Sequence, residues 1–279
     1  MIGPSFSFNG NLLPIHQAFV SVDNLHFVYG YGVYENLKVR SRVLFFPELH
    51  AERLLHSASA IGLKTVYTEE KIKEIVEHLC KVIPQESFNL KVLLMGNEKD
   101  NADMYVFALN PRFLTGKEYR EGVRVITHHG ERLFPNAKTL NMLMSFLAYK
   151  KAQEKGAYDA LLVDNEGAVQ EGTRTNLFFT DGKTIFTPPM EKVLDGVTRM
   201  TVIDALRKKG IIVQERNLKL GEVKDYKGFF LTSTSSKVLP ISRIDEMKFE
   251  IPPIVRDAMK IYDEYLERYA GKARKISYS

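Results

Sequence analysis

Residues 137–167 read AKTLNMLMSFLAYKKAQEKGAYDALLVDNEG. From Lys138 to Lys155 the apolar residues recur at helical spacing, and Gly156 offers a stop. DALLVD (159–164) is then an apolar run of strand length, and Gly167 turns the chain. A helix followed at once by a strand is the pattern of a mixed α/β chain.

The same mixture extends outward from this stretch. SFSF (5–8), Asn9-Gly10 and NLLP (11–14) read as a hairpin, because Asn-Gly takes the positive φ of a two-residue turn. VYENLKV (33–39) turns at Arg40–Arg42 into VLFF (43–46) as a second hairpin. Leu54, Leu55, Ala58 and Ile61 give helical spacing from Glu48 to Ile61, and Thr68–Val82 predicts another helix before Pro84. NLKVLLM, MYVFAL and GVRVITHH follow as strands, although the pattern weakens between Pro111 and Gly122. Beyond Gly167, NLFFTD, TIFTP, IIVQE and GFFLT predict strands. TRMTVIDALRKK and IVRDAMKIYDEYLERY predict helices. The elements do not alternate strictly as βαβ, so the expected class is α/β with mixed, α+β-like sheets. The expected division is a small N-terminal α/β domain over 1–118, an interdomain linker over 119–130 and a larger C-terminal domain over 131–279.

Of the 279 residues, 44% are hydrophobic and 26% charged, enough for a sizeable core. The formal net charge is +5, but Lys and Arg are interleaved with Asp and Glu until GKARK near the C-terminus. That balance reads as a solvated surface, so no nucleic-acid partner is expected. Cys80 is the one cysteine, which excludes an intrachain disulfide and fits a cytoplasmic protein. It sits in KIKEIVEHLCKVI as a small buried residue. Neither a signal peptide nor a membrane span is expected.

No His-Glu-x-x-His, paired cysteine or GxxxxGK[ST] is present, and His128-His129 reads as a strand end, so no metal is expected. Gly30-Tyr31-Gly32 precedes a strand rather than a helix, which rules against a dinucleotide loop. Lys138, placed at the start of its helix, would meet a dipole that disfavours its charge and favours the neutral amine a nucleophilic lysine needs. By itself it reads as an exposed lysine. Glu171 reads as a turn carboxylate and Arg53 as a solvated helical arginine. Gly196-Val197-Thr198-Arg199 opens a helix whose free N–H groups suit an anion. Thr232–Ser236 is a run of hydroxyls after a buried strand.

Taken in order, these groups resemble one family. YGYGVYENLKV, HAERLLHSA, the 137–167 stretch, VQEGTRTNLFF, LDGVTR and FLTSTSSKVLPIS look like the class IV, fold-type IV pyridoxal-phosphate enzymes. That family includes branched-chain aminotransferases, D-amino-acid aminotransferases and aminodeoxychorismate lyase. The resemblance implies a small N-terminal and a larger, cofactor-binding C-terminal domain, pyridoxal 5′-phosphate as cofactor, and a homodimer. It implies that Lys138, with Asn141 in K-x-x-N, forms the Schiff base and then carries the proton. Glu171 would pair with the pyridine nitrogen, and Arg53 with the phosphate. Val197 and Thr198 would offer amides to that phosphate, and Thr234 a hydroxyl with Ser233 beside it. The implied reaction moves the amino group of a small or medium amino acid, branched-chain or D, to a 2-oxo acid. The alternative is a lyase of the aminodeoxychorismate type.

The substrate side departs from the family. D-amino-acid enzymes place an arginine near the end of FNLKVLLMGNEKD, where this chain has Leu94, Met95 and Gly96. Branched-chain enzymes start that strand with Tyr-x-Arg, where this chain has Phe88, Asn89 and Leu90. Lys91, Arg174 and Lys237 are the candidates to replace that cation. Tyr34 reads either as a substrate-side or as a core aromatic, and Ser235 as a further substrate-side hydroxyl. Glu35 after Tyr34 reads closer to the D-amino-acid enzymes, and Met142 stands where many branched-chain enzymes have a tyrosine.

Overall fold

In the computed structural model, which describes residues 1–111 and 113–278, Asn9 and Gly10 adopt positive φ (50° and 88°). Their turn joins β1 (Ile2–Phe8) to β2 (Asn11–Pro14) as the expected hairpin. A single helical turn, α1 (Leu25–Val28), precedes β3 (Gly32–Arg40). Ser41 and Arg42, also at positive φ, then return the chain into β4 (Val43–Leu44). Helix α2 (Pro47–Ala60) starts with proline at its first turn, and α3 (Glu69–Val82) is capped by the Thr68 hydroxyl accepting from Lys71 N. Strands β5 (Phe88–Asn97) and β6 (Asn101–Leu109) complete an antiparallel sheet of order β2-β1-β6-β5-β3-β4.

Strand alternation decides which face of this sheet is covered. Phe88, Leu90, Val92 and Leu94 of β5 and Ala102, Met104, Val106 and Ala108 of β6 are buried in one core with Leu54, Ile75, Leu79 and Cys80 from the helices. Cys80 is the buried small residue its sequence context implies.

Five residues of the opening stretch, 137–141, belong with this sheet's unit, and Thr139 bridges to it. Lys138 does not start a helix: the helix that follows it begins only at Leu143. Residues 137–141 are irregular backbone, with an antiparallel bridge between Val33 and Thr139. Tyr34 N donates to Lys138 O at 2.9 Å and Leu140 N to Gly32 O at 2.8 Å. The backbone groups that a helix start would leave orphaned are therefore paired with a strand. The dipole argument for Lys138 accordingly does not apply. Gly32 permits the approach: a Cβ there would lie 2.6 Å from Leu94 O and 2.8 Å from Leu140 Cδ1.

These elements form the first of two compact units. It comprises the described residues of Met1–Arg112, Ala137–Asn141 and the described residues of Tyr269–Ser279.

The second unit takes Phe113–Asn136 and Met142–Arg268. Helix α4 (Gly116–Glu121) is closed by a capping box between Thr115 and Glu118. It leads into β7 (Val123–His129), α5 (Leu143–Glu154), β8 (Asp159–Val163), β9 (Val169–Gly172), β10 (Asn176–Thr180) and β11 (Ile185–Thr187). Then come α6 (Val197–Arg207), β12 (Val213–Glu215), β13 (Gly228–Ser233), β14 (Lys237–Ile244), β15 (Met247–Lys248) and α7 (Pro253–Lys272). The sheet runs β12-β11-β10-β13-β14-β7-β8-β9, and β9 also pairs β10 through Asn176 and Glu171, so it closes on itself. Pairs β7–β8, β7–β14 and β11–β12 are parallel and the rest antiparallel. The mixed α/β class expected from the sequence is what the chain adopts.

Residues 119–130, expected as a linker, hold the end of α4 and all of β7. Val123 and Val125 enter the main core of the second unit, and Ile126 packs on the other side with Ala148 and Ala152 of α5. The strand expected at GVRVITHH is thus present as β7, inside the bounds expected for the linker. Helix α7 packs Val255, Ala258, Tyr262 and Leu266 inward, and Tyr262 Oη lies 3.0 Å from Thr201 Oγ1.

Gly32→Ala is expected to destabilise the chain by about 1–3 kcal/mol, because the added methyl meets the Leu94 carbonyl as well as the Leu140 side chain. A urea midpoint unchanged from the parent would show that 137–141 does not depend on this close approach.

Candidate active site

Lys138 is held on both sides of its backbone. Its amide donates to Ser57 Oγ of α2 at 3.0 Å, and its carbonyl accepts from Tyr34. Its Nζ lies over the Tyr34 ring, 4.7 Å from the centroid. Lys91 of β5 places its own Nζ 4.6 Å from the same centroid. Tyr34 is buried, but on the sheet face opposite the main core: Val33, Leu37 and Val39 point into that core, and Tyr34 alternates away from it. An aromatic face flanked by two ammonium groups is stabilised by cation–π attraction and leaves a concentration of positive charge in one place.

Glu35, the next residue on β3, turns to the helix side. Arg53 Nε donates to its Oε1 at 2.6 Å and Arg53 Nη2 to its Oε2 at 2.8 Å, a two-pronged fork. His50 Nδ1 lies 2.7 Å from Oε2. Burial would raise the Glu35 carboxyl, but Arg53 and His50 outweigh it and hold it well below the usual carboxylate range. An ionised carboxylate only accepts, so His50 Nδ1 is the donor. Burial in turn keeps the imidazole below its ordinary value despite the pull of Glu35. Arg53, expected as solvated when read alone, is 8% exposed.

In the second unit Glu171 ends β9 with a buried carboxylate. Its Oε2 accepts from Asn176 Nδ2 at 3.0 Å and from Leu194 N at 3.2 Å. Its Oε1 lies 2.9 Å from Arg132 Nε, close as an ion pair but poorly aligned as a hydrogen bond. Glu171 lines a cleft of about 120 Å³ with Arg132, Asp164, Gln170 and Lys192. Asn176 also donates to Leu194 O at 2.8 Å, and so ties the carboxylate to the turn that opens α6. A Cβ on Gly196 would collide with Asn176 Oδ1, so only glycine fits there. Gly196 is also the cap of α6 and makes no side-chain cap bond, and Val197 and Thr198 are buried. Such a helix start offers N–H groups to an anion.

The hydroxyl run forms a tight turn in which Ser233 Oγ and Ser236 Oγ are 2.7 Å apart, with Thr234 half-buried and Ser235 exposed. The other candidate cations are engaged elsewhere. Arg174 is exposed and stacks on Tyr149 at 3.7 Å, and Lys237 pairs with Asp263 at 2.7 Å. Among the described residues no cluster of His, Cys, Asp and Glu could hold a metal.

Four contributors escaped the sequence reading. His50 stands three residues before Arg53, a spacing that puts both on one helical face and could have flagged the pair. Asn176 lies five residues after Glu171, just past a Thr-Arg-Thr turn that brings it back beside Glu171 on the next strand. Ser57 and Arg132 had no local signal.

The family description amino-transferase class IV matches residues 32–244. The D-alanine aminotransferase of Bacillus licheniformis is 29% identical over 248 residues, covering 85% of this chain and 87% of that protein. A probable branched-chain-amino-acid aminotransferase of Rickettsia conorii is 29% identical over 282 residues, covering 96% and 95%. Among solved structures, the branched-chain aminotransferase of Thermoproteus uzoniensis with norvaline superposes with a TM-score of 0.89 at 25% identity, over 98% of this chain and 99% of that one. A branched-chain amino acid aminotransferase from T.th. with pyridoxamine 5′-phosphate also gives 0.89, at 26% identity over 99% and 97%. These relatives are aminotransferases, which sets the lyase alternative aside. A match that begins at Gly32, where the Lys138 segment is seated, and ends with β14 places this chain in the class IV aminotransferases, as a fold-type IV enzyme.

Proposed function

We propose that this aminotransferase uses pyridoxal 5′-phosphate to move the amino group of a small or medium amino acid, of the branched-chain or D-amino-acid kind, to a 2-oxo acid. The observation that carries the reading is Lys138, pinned through both backbone groups with its Nζ set over Tyr34. The other residues fit the cofactor's chemistry. Glu171 is a buried acceptor suited to a pyridinium. Val197 and Thr198 amides, the Thr234 hydroxyl with Ser233, and Arg53 suit a phosphate dianion. When bound, the cofactor supplies an electron sink for the substrate's α-carbon electrons. Lys138 Nζ then takes the proton from that α-carbon and later returns one. Glu171 holds charge opposite the ring nitrogen, and Arg132 and Asn176 keep it in place.

For the substrate carboxylate we favour Lys91, because its Nζ shares the Tyr34 ring with Lys138, over Arg174 and Ser235, which are exposed. We further propose a homodimer. Phe19, Val22 and Tyr29 are 75%, 88% and 78% exposed, and Leu143, Phe146 and Leu147 leave an uncovered apolar face on α5. Surfaces of this kind mark association sites. The single cysteine is compatible with action in the cytoplasm, and no helix among the described residues is long and apolar enough to cross a membrane.

The purified protein should be yellow, and borohydride reduction followed by peptide mass analysis should find the cofactor on the Lys138 peptide. Lys138→Ala should lower turnover by roughly 10²- to 10⁴-fold or more. A colourless chain that stays colourless on adding pyridoxal 5′-phosphate would sink the reading. Lys91→Met should raise KM for donor and acceptor by roughly 10- to 100-fold, the worth of a charged hydrogen bond, with a smaller change in kcat. An unchanged KM would move the carboxylate elsewhere. Sedimentation equilibrium should give twice the chain mass, and a monomer at micromolar concentration would rule out the dimer.

A further inference from the structure

Glu35 lies outside the residues assigned to cofactor or substrate, yet it is 1% exposed and both of its oxygens are engaged. A carboxylate 2.6 Å from an arginine offsets much of the charge that would draw a phosphate. If Arg53 served only as a positive charge, Glu35 would work against it. Burial changes the balance. A guanidinium taken out of water without a partner is strongly unfavourable, and a flexible arginine would turn to any carbonyl in reach. The fork fixes the plane of the group through Nε and Nη2. His50 and Arg53 are three residues apart on one face of α2, so Glu35 enters from β3 and is gripped by both. Asn36 N adds a donor to Oε2 at 3.3 Å. The carboxylate cannot rotate without breaking several contacts at once.

We propose that Glu35 is a positioning residue for the cofactor phosphate: with His50 behind it, it holds the Arg53 guanidinium in the orientation that receives the dianion. This rests on the assignment of Arg53 to the phosphate. Glu35 acts through Arg53 and does not itself touch cofactor or substrate, so its effect belongs to the phosphate and not to the ring.

The test compares pyridoxal 5′-phosphate with pyridoxal, which lacks the phosphate, by absorbance titration of the full-length protein stripped of cofactor. Glu35→Gln should weaken pyridoxal 5′-phosphate by roughly 10- to 100-fold, the range for partners that orient a primary ligand. Its affinity for pyridoxal should stay within about twofold of the parent. Glu35→Asp, which keeps the charge on a shorter arm, should fall between, and it supplies the same readout if the Gln variant does not fold. Arg53→Gln should show the same phosphate-selective loss. Equal loss of both ligands in the Glu35 variants, or no loss of either, would overturn the proposal. If Arg53→Gln shows no phosphate-selective loss, the assignment of Arg53 itself fails. If Arg53→Gln shows it and Glu35→Gln does not, only the positioning role fails.

Discussion

The placement of Lys138 depends on a short piece of β pairing. Two backbone hydrogen bonds, Tyr34 N to Lys138 O and Leu140 N to Gly32 O, seat residues 137–141 on the open edge at the start of β3. Each such bond contributes only about 1 kcal/mol net. Together with Ser57 and the close approach at Gly32 they leave the Lys138 backbone little freedom. The residues before and after this segment are counted with the other unit. The lysine is therefore set by the sheet and not by the helix that follows it.

Strand β3 then distributes chemistry by alternation. Tyr34 faces away from the main core, beside Lys138 and Lys91. Glu35 faces α2, where Arg53 and His50 take hold of it. One register shift would exchange these faces and bury the tyrosine where the carboxylate belongs. The β3–β5 pairing is continuous from Gly32 opposite Met95 to Val39 opposite Phe88, which protects that register. In the second unit Asn176 has the comparable part. It joins the Glu171 carboxylate to Leu194 and packs against Gly196, so the acceptor and the helix start are positioned by a single side chain.

Most elements were legible because local rules agreed with the fold. Asn9-Gly10 made its turn, Thr68 capped its helix, and Pro47 and Gly62 bounded theirs. The candidate site residues were legible only as an ordered set. Lys138, Glu171 and Arg53 each read as ordinary surface groups in isolation, since burial and partners are tertiary properties. Lys138 was placed at a helix start because the apolar spacing of 138–155 continues smoothly into α5. Nothing local announces that its first residues pair with a strand about a hundred positions earlier. The strand expected at GVRVITHH is β7, and the linker expected over 119–130 overlapped it because the pattern weakens just before it, between Pro111 and Gly122.

The sequence by itself determined the class of fold, the hairpins, the long helices, and the order of motifs that marks a class IV aminotransferase. Those features depend on turn chemistry, capping and periodicity, which act over a few residues. Only the tertiary structure decided that Lys138 sits on a segment bridged to β3, that Lys91 and not Arg174 shares its aromatic neighbour, and that Glu35 grips Arg53. Those outcomes depend on hydrogen bonds and ion pairs between residues far apart in the chain, whose geometry exists only once the strands have paired and the helices have covered them.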